Sequence, residues 1–192
     1  MIMNLGQSTI ENLSPRDRKF IPKGSKIGFT LIEILIAVAI LGILAAIIIP
    51  EFQGHIQQAK EAAAKESLRL FRETIERYAA EHNDVPPGYS NGDTSSSPNA
   101  LHLLNQLVWK STNASGQIAD IGTAGYPYGP YLPVIPTNPF NGNRSVVVLG
   151  NLTDFPTTAL TLTYGWIYKP ATREVRINTD GTDSEGKRYF DY

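Results

Sequence analysis

The 192-residue sequence contains no cysteine, so a disulfide framework, a thiolate metal site and a cysteine nucleophile are all excluded. It also lacks a glycine-rich phosphate loop and a Gly-x-Ser-x-Gly nucleophile elbow. Its three histidines, His55, His82 and His102, lie far apart along the chain. No catalytic constellation is therefore recognisable, and we predict that the protein is not an enzyme and needs no catalytic cofactor.

Net charge is also nearly absent, at −1, but this balance hides an asymmetry along the chain. Residues 1–28 carry five basic and two acidic side chains, whereas the remaining residues carry 12 basic and 16 acidic ones. Basic residues that precede an apolar segment keep that side of the membrane cytoplasmic, so the acidic remainder is expected outside the cytoplasm. No basic patch indicates nucleic-acid binding.

One long apolar segment, from Phe29 to Pro50, contains a single charged side chain, that of Glu33. As a helix it would span about 30 Å, the thickness of the hydrocarbon core of a bilayer. A carboxylate costs about 2.5–3.5 kcal/mol at the centre of a membrane helix and less toward an end. A plain membrane anchor has no need of it. A cleaved secretory signal, with an apolar core of about 7–15 residues, does not fit this longer segment.

The sequence Gly28-Phe29-Thr30-Leu31-Ile32-Glu33, followed by this apolar segment, resembles the class III signal of type IV pilins and type II secretion pseudopilins. The resemblance implies that residues 1–28 are a leader and that a prepilin peptidase cleaves after Gly28. It also implies methylation of the new amino terminus at Phe29.

The same resemblance implies how subunits assemble. Glu33 would face the terminal amine of a neighbouring subunit, because opposite charges attract strongly in a low dielectric and either one alone is penalised. The segment between Gly42 and Pro50 would lose helicity when subunits pack into a filament. In the free subunit we expect a single, kinked helix.

Apolar residues recur at three- and four-residue steps from Phe52 to Tyr78, which is typical of an amphipathic helix. The prolines at 86 and 87 end this pattern, since proline removes a donor and clashes with the preceding turn. We therefore predict one helix from Phe29 to near His82, apolar over residues 29–50 and amphipathic over 51–83.

Residues 84–192 are predicted to form a globular head with long loops. A short helix is expected to start at Ser97 and end near Lys110, and the proline-rich segment 126–140 is expected to be an ordered loop. Strands are predicted at 146–149, 160–168 and 174–178, the last two as a hairpin. The expected fold is α+β and pilin-like: a long N-terminal helix packed on a small antiparallel sheet.

The acidic tail, residues 178–192, contains two glycines and several oxygen-bearing side chains. Such loops suit Ca²⁺, which takes 6–8 oxygen ligands. The tail resembles the calcium loop of the major type II pseudopilin, and the resemblance implies Asp180, Asp183 and Asp191 as ligands. A solvated turn is the alternative that the residues leave open.

We predict a structural subunit that polymerises into a type II secretion pseudopilus or a type IV pilus-like filament, most like the major, G-type pseudopilin. The expected partners are further copies of the chain, the prepilin peptidase, an inner-membrane assembly platform with minor pilins, and membrane lipid before assembly. The expected location is the inner membrane, crossed once with the C-terminal domain outside the cytoplasm, and then a periplasmic or extracellular filament. The alternative is a non-polymerising, membrane-anchored binding domain that uses a pilin-type signal.

Overall fold

A computed structural model describes residues 28–160 and 163–192. The predicted leader, residues 1–27 before Gly28, lies outside the described residues. The chain divides into two compact units, residues 1–46 and 47–192, and we describe each by itself.

The long helix α1 is Leu31–Glu81. It confirms the predicted helix to within two residues at the start and one at the end. Every side chain that the structure describes from Leu31 to Ile49 is exposed. Within the described part of the chain, α1 is the one helix that is long and apolar enough to cross a membrane.

In the second unit, one face of α1 is buried. The buried residues recur at three- and four-residue steps, as expected for an amphipathic helix. They are Ala64, Leu68, Phe71, Ile75, Tyr78 and Ala79. Five of these residues, Ala64, Leu68, Phe71, Ile75 and Tyr78, belong to the main hydrophobic core.

A short helix, α2, is Ala100–Leu104 and runs directly into a π-helical turn, Asn105–Trp109. Its N-cap is Asn99, whose Oδ1 accepts a hydrogen bond from the His102 backbone N–H at 3.0 Å. The prediction that Ser97 caps this helix is therefore wrong by two residues. Asparagine and serine are equally good caps, so the sequence offered two candidates close together.

The head contains two small sheets. Strands β1, Ser111–Thr112, and β2, Ile118–Ala119, form an antiparallel pair. Strands β3, Val146–Val148, β4, Trp166–Lys169, and β5, Glu174–Ile177, form a three-stranded sheet in that order. The α+β class is confirmed, and so is the β4–β5 hairpin, which pairs Trp166 with Ile177.

The pairing of β3 differs from the prediction, because β3 is parallel to β4, with Val146 opposite Trp166. The sheet is therefore mixed rather than antiparallel, and β4 is shorter than the predicted strand. Gly165 explains the start of β4: a Cβ atom there would lie 2.3 Å from the Asn143 carbonyl oxygen. Only glycine allows the two backbones to approach this closely, and the Gly165 N–H then donates to the Ser145 carbonyl at 2.8 Å.

Side chains of β4 alternate between the two faces of the sheet. Trp166 and Tyr168 join the core that includes the buried face of α1, whereas Ile167 joins a smaller cluster with Leu149 and Phe190. One face of the sheet thus packs against α1, and the other face packs against Phe190 near the C-terminus.

Candidate assembly and processing site

The amino-terminal end of α1 is closed by reciprocal hydrogen bonds between Thr30 and Glu33. The Glu33 backbone N–H donates to Thr30 Oγ1 at 3.2 Å, and the Thr30 backbone N–H donates to Glu33 Oε2 at 2.8 Å. The Thr30 hydroxyl also donates to Glu33 Oε2 at 2.7 Å. This is a capping box, in which the first and fourth residues satisfy backbone donors that a helix start leaves unpaired.

This capping role of Glu33 was not among the predictions from the sequence. The signal was present, because Thr30-Leu31-Ile32-Glu33 has the Thr-x-x-Glu spacing of a capping box directly before an apolar segment. In the single chain the carboxylate of Glu33 therefore already has hydrogen-bond donors. Hydrogen bonds do not cancel the charge of an ionised carboxylate, so a positive group beside Glu33 would stabilise it further.

Gly28 and Phe29, the predicted processing residues, precede the helix. Neither residue has regular secondary structure, and both are exposed, Phe29 by 82%. Among the described residues other than its chain neighbour, no atom lies within 4 Å of a Cβ placed on Gly28. Within the part of the chain that the structure describes, nothing covers the peptide bond between them.

The predicted assembly residues Gly42 and Pro50 both lie inside α1, which is helical through both positions. A Cβ atom added to Gly42 would have open space around it, with no other atom within 4 Å. The loss of helicity between the two residues concerns the packed filament and stays a prediction.

The three predicted calcium ligands have separate partners. Asp180 Oδ1 accepts a hydrogen bond from the Ala159 backbone N–H at 2.9 Å. Asp191 Oδ1 lies 3.9 Å from Arg176 Nη1, and Asp191 Oδ2 lies 3.9 Å from Arg188 Nη1.

Asp183, in contrast, is buried, and its carboxylate accepts several hydrogen bonds from its own turn. Among the described residues, no three metal-ligating side chains of the His, Cys, Asp or Glu type converge on one point. The arrangement does not fit a Ca²⁺ site, and calcium binding itself stays a prediction for titration to decide.

One histidine is part of the core. His82 is 1% exposed, and its ring stacks on that of Tyr78 with centroids 3.7 Å apart. Its Nδ1 lies 2.7 Å from the Tyr78 carbonyl oxygen and must donate, since a carbonyl only accepts. Its Nε2, 2.8 Å from Thr112 Oγ1, then accepts from the hydroxyl in the neutral ring. From the sequence, His82 was predicted only to mark the end of the helix.

We expect this histidine to make the head less stable in acid. Burial lowers the pKa of His82 below its ordinary value of about 6.5, more than the Tyr78 carbonyl raises it. The unfolded chain therefore binds the proton more tightly, and stability is lost as pH falls from about 6.5 toward the lowered pKa of the folded state, by at most about 1.4 kcal/mol per pH unit. Urea unfolding at several pH values should show this slope in the wild type but not in His82→Gln. The exposed His55→Gln variant is the control, and a wild-type slope that survives His82→Gln would contradict the assignment.

Comparison with known proteins finds one family model and several relatives that match part of this chain. The family described as the prokaryotic N-terminal methylation motif matches residues 24–49. Type II secretion system core protein G of Pseudomonas aeruginosa is 39% identical over 59 residues, which are 31% of this chain and 42% of that protein. Core protein G of Vibrio cholerae is 28% identical over 124 residues, 65% of this chain and 72% of that protein.

Type IV pilins show the same similarity. The type IV major pilin protein PilE1 of Neisseria gonorrhoeae is 29% identical over 97 residues, 46% of this chain and 54% of the pilin. This chain spans about two fifths of the length of core protein G from Pseudomonas aeruginosa and from Aeromonas hydrophila, at 42% and 41%. No solved structure matches this chain.

Proposed function

We propose that this chain, a member of the type IV pilin and type II secretion pseudopilin family, is the structural subunit of a helical filament, released from its leader by a prepilin peptidase. The observation that carries the proposal is the first part of α1. From Leu31 to Ile49 it exposes a continuous apolar surface, and the one charge in it, Glu33, stands in the first turn. The N-terminal methylation motif matches residues 24–49, and relatives of this chain are named as a pilin and as core proteins of type II secretion systems.

The exposed apolar surface must be covered both before assembly, by lipid, and after assembly, by neighbouring subunits. Burying one large aliphatic side chain contributes about 1.5–3 kcal/mol, so the thirteen large aliphatic side chains exposed between Leu31 and Ile49 would be strongly unfavourable in water. Before assembly, lipid covers this surface, so the unassembled subunit is anchored in the inner membrane. In the filament the same residues of neighbouring copies cover it, and the positive amine created at Phe29 neutralises Glu33.

The finer assignment is to a type II secretion pseudopilus, of which this chain would be the major, G-type subunit. It is supported by the core G proteins among the relatives, whereas the type IV pilins among them favour a surface pilus. In either filament the head, residues 84–192, lies outside the cytoplasm, and the assembly platform and minor pilins are partners. The competing proposal, a membrane-anchored binding domain that does not polymerise, predicts processing without filaments.

Processing is tested by changing Gly28. Gly28→Val should leave the leader attached, because a peptidase subsite that accepts glycine has no room for a branched side chain next to the cleaved bond. We expect processing to fall below detection when the chain is co-expressed with a prepilin peptidase. Intact-mass spectrometry of the purified chain measures both the loss of residues 1–28 and the methyl group on Phe29.

The matched control is Gly42→Ala, a second glycine whose added Cβ meets no atom within 4 Å. It should be cut and methylated like the wild type. Normal cleavage of Gly28→Val, or a wild-type chain that keeps its leader beside an active peptidase, would contradict the proposed processing site.

A further inference from the structure

The turn that ends the head is organised around one buried carboxylate, that of Asp183. Its side chain is 2% exposed. Its Oδ1 accepts hydrogen bonds from the backbone N–H groups of Glu185 at 2.9 Å and Lys187 at 2.8 Å. The Asp183 backbone N–H donates in turn to the Lys187 carbonyl at 2.8 Å. The carboxylate thus holds the turn in shape from within.

The second oxygen of the same carboxylate faces α1 and the last residue. Asp183 Oδ2 accepts a hydrogen bond from the Tyr192 hydroxyl at 2.8 Å and lies 3.8 Å from the ammonium of Lys65. That ammonium is also 4.7 Å from the centre of the Tyr192 ring, within the range of a cation–π contact. The Tyr192 hydroxyl first, and the backbone donors and Lys65 after it, hold the pKa of Asp183 below its usual range.

A second buried carboxylate, Glu61, lies one helical turn before Lys65. Its Oε1 accepts a hydrogen bond from the Tyr189 hydroxyl at 3.1 Å, and the Gln57 side-chain amide donates to the same hydroxyl. Gln57, Glu61 and Lys65 are spaced four residues apart, so they share the face of α1 that meets the turn. Two carboxylates and one lysine therefore fasten residues 183–192 to α1.

This set of contacts conflicts with a calcium ion. Calcium requires 6–8 oxygens at about 2.3–2.6 Å with their lone pairs free. Here N–H and O–H donors point at both oxygens of Asp183, and an ammonium occupies the approach to Oδ2. Asp180 and Asp191, the other two candidate ligands, are engaged with Ala159 and with two arginines. A divalent cation would have to displace Lys65 and break those hydrogen bonds.

We propose that Lys65 takes the place of a divalent cation in this turn, so that the C-terminal turn of the head is fastened to α1 without calcium. The charge that neutralises Asp183 comes from α1 itself. The turn therefore depends on an internal lysine rather than on the calcium concentration outside the cytoplasm. This inference does not rest on the proposed filament function, since every contact lies within the compact unit of residues 47–192.

The test compares thermal unfolding of the full-length chain in detergent with millimolar CaCl2 and with EGTA, using magnesium as the control for ionic strength. The wild type should melt at the same temperature in all three. Lys65→Met keeps most of the aliphatic stem but removes the charge, which leaves Asp183 buried without a cation. We expect its melting temperature to fall by at least about 2–4 °C, and cleavage by protease within residues 180–192 to become faster.

Two further variants complete the experiment. Lys60→Met removes an exposed lysine of the same helix and should change neither readout, whereas Lys65→Arg should restore both because it keeps the positive charge. A rise in the wild-type melting temperature with calcium that Asp183→Asn abolishes would overturn the proposal. Equal behaviour of Lys65→Met and Lys60→Met would overturn it as well.

Discussion

Glu33→Ala should abolish filaments while leaving processing intact. In the assembled state the carboxylate and the amine of the neighbouring subunit would be buried together among apolar side chains. Removing one partner of a buried ion pair costs about 3–5 kcal/mol, because the other charge is left uncompensated. A loss of this size lowers the affinity of a subunit for the filament end more than about a hundredfold. Electron microscopy and a shearing assay should find no filaments, whereas mass spectrometry should still find a chain cut after Gly28.

The capping box makes a second variant necessary. Glu33→Ala removes both the charge and the hydrogen bond that Glu33 accepts from the Thr30 backbone. Glu33→Gln removes only the charge, since glutamine serves in a capping box as well as glutamate does. If the ion pair drives assembly, Glu33→Gln should lose filaments as completely as Glu33→Ala.

The control for both variants is Glu51→Gln, at an exposed glutamate of the same helix. It should assemble normally. Filaments of normal number from Glu33→Gln would mean that the carboxylate acts only as a helix cap, and the pairing would be wrong. A wild type that is processed but never polymerises would favour the anchored binding domain instead.

Trp166→Ala should cause the largest loss of head stability. The Trp166 side chain is fully buried in β4, meets the Phe71 ring of α1 edge-on with centroids 6.1 Å apart, and donates from Nε1 to the Pro136 carbonyl at 2.8 Å. Its removal leaves a cavity between sheet and helix and an unpaired carbonyl in the proline-rich loop. We expect a loss of about 3–5 kcal/mol, a large part of the stability of a typical domain.

Trp109→Ala is the matched control, because Trp109 is 52% exposed at the end of the π-helical turn. Its effect should stay within about 0.5 kcal/mol. Urea unfolding followed by near-ultraviolet circular dichroism of the tyrosines measures both variants in the same way. Similar losses at the two positions would contradict the assignment of Trp166 to the centre of the core.

The long helix was predictable because its signals are local. The repeat from Phe52 to Tyr78 and the prolines at 86 and 87 depend only on neighbouring residues, and α1 ends at Glu81 as they indicate. The β4–β5 hairpin is local in the same sense. The motif around Gly28 and Glu33 was equally readable, although the prediction gave Glu33 a distant partner and missed the near one, Thr30.

The remaining features depend on residues that meet only in the fold. The alternating pattern of residues 160–168 favoured a full strand, but Gly165 packs against Asn143, and β4 begins only at Trp166. Asn138 has the appearance of a turn residue, yet it is fully buried and its amide donates to the Gly165 carbonyl and to Thr179 Oγ1.

The same limit applies to the acidic tail. Its carboxylates could be read from the sequence, but their donors could not. Lys65 and the Ala159 backbone N–H are remote from Asp183 and Asp180 along the chain, and no spacing rule links them. An acidic loop stabilised by a lysine therefore cannot be distinguished from a metal-binding loop by its sequence, because the groups that contact its carboxylates are distant along the chain.

The capping box also bears on the proposed processing, because it sets where the helix begins relative to Gly28 and Phe29. A capping residue has non-helical backbone angles, so the helix cannot extend backward past Thr30. The residues before it, Gly28 and Phe29, carry no helical structure, while those after it already do. If the chain is cut after Gly28 as proposed, the peptidase would bind a bond that lies outside helix α1 and would not need to unwind it. The proposed processing would then change only the covalent end of the subunit, before the first residue of α1.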